Sequence, residues 1–296
     1  MNQKQPLNII LKSDVITSRI FWSLLGFELF IVFLDVFINH YKWSSVGAIR
    51  RMVNITREDS LSNWFSSIQA IVVGAVIWLT AIGVRKQAQG NHYMRKFYCW
   101  AGIGSFFIYL GIDDAIKFHE RMGTTFKELM AGKEFKQWEA NRPPDYWRDA
   151  GGELFEKALI FKNDDISNEG VLGSLYDFFP SYTWQMVFGP FFIAIGIFIV
   201  WFLWKELSSK KLWDWALVGI SLYAFAVGLD FVEGLDSEPY EGIAAFFSTE
   251  EYRIEHLSKT LEEFLEMIGT TTFLIVFLKN ILNLYREWEI NISVKP

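Results

Sequence analysis

Residues 255–269 read EHLSKTLEEFLEMIG and run directly into TTTFLIVFLKNILNLY at 270–285. Wound as a helix at about 100° per residue, Glu255, His256, Lys259, Glu262, Glu263 and Glu266 fall within an arc of roughly 120°. Leu257, Leu261, Phe264, Leu265 and Ile268 take the other side. The following turns are apolar all round, as a helix in lipid requires and a surface helix does not. One helix therefore joins an acidic face to a membrane-length apolar segment.

The same signal recurs along the chain. Its 296 residues are 51% hydrophobic and include 13 Trp and 28 Phe. The apolar residues come in blocks near the ~20 residues that cross a bilayer. Six are read, at 20–38, 64–84, 97–118, 184–204, 212–232 and 256–284. The expectation is an all-α integral membrane protein. It has one polytopic domain over 1–296, six transmembrane helices, and an extramembrane helical cap over 120–182, between helices 3 and 4. A cap is expected there because Tyr146, Trp147, Phe155 and Phe161 follow the turn at Pro143-Pro144, and a disordered linker would carry few such residues. The first block follows a polar stretch with Lys4, Lys12, Asp14 and Arg19 and lacks a small-residue cleavage site, so it reads as a retained helix. A single cysteine, Cys99, precludes an intramolecular disulfide and leaves the redox compartment open.

Basic residues set the orientation. Arg85, Lys86, Arg95 and Lys96 lie between helices 2 and 3, Lys205, Lys210 and Lys211 between helices 4 and 5, and Lys4, Lys12 and Arg19 before helix 1. With six spans these segments share one side, so both termini are expected in the cytoplasm, in a prokaryotic cytoplasmic membrane. Arg50, Arg51 and Arg57 break the pattern, and their segment reads as an interfacial helix.

That topology gathers acids at the opposite, outer face. Helix 3 ends in LGIDDAIKFHERMG, with Asp113 and Glu120 seven apart and so nearly eclipsed, flanked by Asp114 and His119. Helix 5 ends with Asp230 and Glu233 three apart, and helix 6 begins with the acidic stripe. Helix 1 adds Asp35 and His40 at its outer end. Clustered carboxylates near a low-dielectric region must be protonated, paired, or neutralised by a cation. Lys117, Arg121, Arg253 and Lys259 do not balance them.

A divalent metal would do so, and the candidate ligands are Asp113, His119, Glu120, Asp230, Glu233, His256, Glu263 and Glu266. Carboxylates with one or two imidazoles suit iron or manganese better than zinc. Four histidines are too few for histidine-rich desaturase chemistry, and no HExxH is present. Asp113-Asp114-x4-His119-Glu120 with Glu262-Glu263-x2-Glu266 resembles carboxylate-bridged dimetal proteins in composition, without their Glu-x2-His repeat. The competing explanation is a hydrated rim, since a helix N-terminus favours acids. It accounts less well for Asp113, Glu120, Asp230 and Glu233, which lie at C-terminal ends, where the dipole disfavours acids.

Glu28 lies near the middle of helix 1, seven residues before Asp35 and on the same face. An ionisable group at that depth is costly and points to function. The pair Glu28 and Asp35 is the catalytic or relay candidate. The alternative for Glu28 is a hydrogen bond to a neighbouring helix, with Thr270–Thr272 the nearest suitable run.

Three functions follow as expectations. The first is a metalloenzyme, an iron- or manganese-dependent oxidoreductase acting on a lipid or small apolar substrate. The second is a cation or proton-coupled transporter or sensor. The third is a non-catalytic subunit with a membrane-protein partner or a second copy of itself. Besides the bilayer, no nucleic-acid partner is expected, because no basic aromatic patch is present.

Overall fold

A computed structural model describes residues 13–41, 43–57, 59–86, 91–119, 121–123, 125, 183–207, 209–233 and 240–284. The described elements are α1 (Ser13–Asp35), continued by a π-helical turn (Val36–His40), α2 (Gly47–Val53), α3 (Leu61–Lys86), α4 (Asn91–Ile116), α5 (Thr183–Glu206), α6 (Lys210–Glu233), α7 (Glu241–Phe247) and α8 (Glu251–Leu284). No strand occurs among the described residues. Six stretches are long and apolar enough to cross a membrane: Asp14–His40, Leu61–Lys86, Met94–Ile116, Phe188–Glu206, Lys210–Val232 and Glu251–Leu284. Among the described residues the architecture is all-helical, and the six apolar helices mark an integral membrane protein. The expected cap over 120–182 lies largely outside the described residues, of which it retains 121–123 and 125.

One expectation fails at the end of the third span. The α-helix stops at Ile116, and Lys117 adopts a left-handed φ of 52°. Helical turns resume beyond it, with the Arg121 N–H bonded to the Lys117 carbonyl at 3.0 Å. The break falls between Asp113 and position 120, and Glu120 itself lies outside the described residues. A side chain at positive φ is strained, and the α-helix ends there rather than extending smoothly to 118.

The chain forms two compact units, one of residues 1–115, 199–226 and 260–296, the other of 116–198 and 227–259. The first has an inside-out pattern. Phe27, Phe30 and Phe33 on α1 are exposed, whereas Glu28 and Asp35 are wholly buried. With lipid as the solvent, polar side chains go inward to find partners and aromatic ones go outward.

Helices α3 and α4 meet backbone to backbone. A Cβ added at Gly74 would lie 2.6 Å from the Gly104 carbonyl oxygen, and one at Gly111 would lie 2.5 Å from that of Ser67. Ser67 and Gly74, like Gly104 and Gly111, are seven residues apart, so the contacts form a two-layer seam of small residues. Beside it, Trp100 packs edge-on against Phe202 and Phe277, and Phe107 packs edge-on against Phe273 and Phe277.

The segment expected at the interface carries α2, on which Ile49 and Met52 are exposed. Arg51 of α2 and Arg57 beyond it both pair with Asp59. Burial raises the Asp59 pKa, but the two guanidinium groups together outweigh it and hold the carboxyl below its ordinary value.

Candidate functional site

The interior of the first unit is built in three layers from α1, α3 and α8. The spacing that brings them together is helical: Glu28, Ile31 and Asp35 share one face of α1, as do Thr260, Phe264, Met267 and Thr271 on α8.

Glu28, Gln69 and Thr271 form the first layer. The Thr271 hydroxyl donates to Glu28 Oε1 at 2.5 Å, and Gln69 Nε2 donates to the same oxygen at 2.9 Å. Gln69 Nε2 also donates to Thr271 Oγ1 at 2.5 Å. Both bonding groups thus converge on one carboxyl oxygen. Among the described residues, Glu28 Oε2 and Gln69 Oε1 are buried and have no hydrogen-bond partner. Glu28 is 0% exposed.

Apolar side chains make the second layer. Ile31, Ile55 and Met267 are buried together, with Val32, Phe65 and Phe264 packed against them.

Asp35 anchors the third. Its Oδ1 accepts from Asn39 Nδ2 at 2.9 Å and from the Ile55 N–H at 3.3 Å, and its Oδ2 accepts from Thr260 Oγ1 at 3.2 Å. Asn39 sits in the π-helical turn and also donates to the Arg50 carbonyl. Asp35 thereby ties the end of α1 to the α2–α3 connection and to α8. Both of its oxygens are engaged in holding the fold, unlike Oε2 of Glu28.

A second polar group borders this column. The Asp114 Oδ2 accepts from Ser66 Oγ at 2.6 Å and Ser67 Oγ at 2.9 Å. Its neighbour Asp113 is buried, and its Oδ1 accepts from Tyr109 Oη at 3.3 Å. On α6 the Tyr223 hydroxyl pairs with Thr270 Oγ1 and lies within electrostatic reach of Glu266 and Asp114.

The proposed metal ligands divide between the two units. Asp113, Glu263 and Glu266 belong to the first, where Glu263 and Glu266 are half-buried. His119, Asp230 and His256 belong to the second. There the His119 ring lies 6.4 Å from that of Phe192, Asp230 Oδ2 accepts from Gln185 Nε2 at 3.2 Å, and the buried His256 ring lies 6.1 Å from Tyr252. Glu120 lies outside the described residues, as does the side chain of Glu233. Among the described residues no three His, Cys, Asp or Glu side chains come together as a metal site.

The acidic stripe itself is a single helix, as its periodicity implies, with its buried side set by lipid. His256 and Glu262 are buried, Glu255 is exposed, and Leu257 and Leu261 face outward at 39% and 43% exposure. Glu262 and Asp114, which could have faced water, instead lie in the interior and on the Ser66–Ser67 pair respectively. Sequence reasoning missed Gln69, Ser66 and Ser67. The available signal was an amide and two hydroxyls inside an otherwise apolar span, SSIQAIVVGAVIW.

Residues 24–280 match the family described as a domain of unknown function (DUF8692). The chain belongs to that family. The match takes in Glu28, Gln69, Asp114 and Thr271, and so the whole layered column. No curated protein and no solved structure matches the chain.

Proposed function

We propose that the protein is a proton-coupled membrane transporter in which Glu28 holds the coupling proton. One observation carries this reading: a wholly buried carboxyl in a membrane-spanning helix, with two donors on one oxygen and none on the other. Leaving a buried acceptor unpaired costs about 1–3 kcal/mol, and Gln69 Oε1 shares that condition. A proton on Glu28 Oε2 supplies a donor, and Gln69 Oε1 belongs to the amide that already bonds the other carboxyl oxygen. The proton thus turns one unpaired acceptor into a donor. Its loss leaves a carboxylate with an unpaired Oε2, so protonation changes the stability of the packing among α1, α3 and α8. That dependence is what couples a proton to a conformation.

Glu28→Gln keeps the shape and removes the titratable proton. It is expected to keep the fold and melting temperature, to delete a buried carboxylic-acid stretch from the infrared spectrum, and to abolish flux driven by a pH gradient in proteoliposomes. An unchanged spectrum and unchanged flux would overturn the proposal. The oxidoreductase alternative requires a metal whose set is completed by Glu120 and Glu233. Iron or manganese retained by purified protein and lost in Glu266→Ala would favour it.

A further inference from the structure

Glu28 is sealed from both directions, but unequally. Toward Asp35 the barrier is a single apolar layer, Ile31, Ile55 and Met267, with Val32, Phe65 and Phe264 around it. Glu28 and Asp35 are seven residues apart on one helix, about 10 Å along its axis. On the other side α8 adds Phe273, Val276 and Phe277 in succession, all buried, and the aromatic cluster with Trp100, Phe107 and Phe202 backs them. Moving aside one flexible side chain crosses the first barrier. Crossing the second means separating interlocked rings.

We infer that the proton on Glu28 enters and leaves past Met267 and Ile31, toward the Asp35 layer, and that this apolar layer is its gate. Met267 is 0% exposed and Ile31 2%. Methionine is the adaptable member, with an unbranched side chain that changes rotamer at low cost. The layer includes Ile55, whose backbone N–H donates to Asp35. A rearrangement of the α1–α3 connection therefore acts on the gate directly. The chemistry is a plain transfer: the Glu28 Oε2–H bond breaks, water admitted through the layer accepts the proton, and the carboxylate remains. No other reactant is required.

This inference rests on Glu28 holding a proton, and the test separates the two. Purified protein in nanodiscs is moved into D2O, and the shift of the carboxylic-acid stretch that Glu28→Gln removes is followed in time. Met267→Ala is expected to speed exchange by at least about tenfold, since local opening governs exchange at buried groups. Met267→Leu should stay close to wild type, and Phe277→Leu, in the thicker barrier, should change the rate by less than about twofold by the same principle. If Met267→Ala exchanges at the wild-type rate, or Phe277→Leu is the variant that accelerates, the gate is not there, although the proton on Glu28 stands. A spectrum without a Glu28 band removes the underlying reading instead. Equal melting temperatures of Met267→Leu and wild type show that the layer still packs.

Discussion

Replacing Gly111 with alanine tests whether the α3–α4 seam positions the polar interior. The new Cβ would lie 2.5 Å from the Ser67 carbonyl oxygen, 2.8 Å from Ile71 Cγ1 and 3.1 Å from the Ile71 nitrogen. The Ser67 oxygen is backbone and cannot rotate away. An ordinary carbon–oxygen contact is about 3.2 Å or longer, so the helices must part by roughly 0.7 Å at this level. Asp114 lies three residues further on α4 and depends on that spacing through its bonds to Ser66 and Ser67. Stretching two hydrogen bonds to a carboxylate costs about 2–4 kcal/mol, taking values at the low end because polar groups in a bilayer find alternative partners. Alanine returns about 1 kcal/mol through its better helix propensity. The net expectation is about 1–3 kcal/mol of destabilisation, or a melting temperature lower by roughly 3–9 °C for a chain of this size. Gly102→Ala is the control, because a Cβ there meets nothing within 4 Å. Thermal melts of both variants in the same detergent provide the assay. If Gly111→Ala melts with wild type, the backbone contact does not set the helix spacing.

The remaining predictions concern orientation, ion pairing and the α6–α8 contact. On a Cys99→Ala background, Ser209→Cys is expected to react only with reagent on the cytoplasmic side and Ser248→Cys only from outside; the reverse would invert the topology. Asp59 is held below its ordinary pKa once folded, so its stabilising contribution is present above the unfolded value of about 4 and fades as pH falls through the folded value. Asp59→Asn should therefore melt slightly lower than wild type at neutral pH, by less than about 1 kcal/mol for so exposed a pair, and converge with it in acid. A difference that grows in acid would contradict the pairing. Tyr223→Phe removes the hydroxyl bonded to Thr270 and should cost about 1 kcal/mol in thermal or denaturant melts, with no loss expected from Tyr98→Phe on the exposed face of α4.

Span order was legible in the sequence because hydropathy over twenty residues depends on the lipid and hardly on neighbours. The depth of Glu28 was legible for the same reason, and its partner Thr271 falls within the threonine run to which the sequence pointed. The break at Lys117 was not, because DDAIKFHERMG has neither glycine nor proline before the turn, and a lysine at positive φ is an uncommon choice. Gln69, Ser66 and Ser67 were hidden for a different reason. Which way α3 faces is decided by the glycines of α4, and these contacts join residues 30 and 44 positions apart, counted as 104 minus 74 and as 111 minus 67. The acids of α4, α6 and α8 are drawn from both units.

Helix α1 touches the interior along a thin line. Its buried residues are Thr17, Glu28, Ile31 and Asp35, followed by Ile38 in the π-helical turn, and only 17% of its spanning window is buried. A helix held by so few side chains has little to lose by swinging outward, and a large part of what holds it is the carboxyl chemistry at Glu28. The residue proposed to carry the proton is thus also a fastening, so the energy of one protonation event is delivered to a loosely attached wall of the bundle. Coupling here would need no long relay through the protein: the ion and the moving part would be joined at the same side chain.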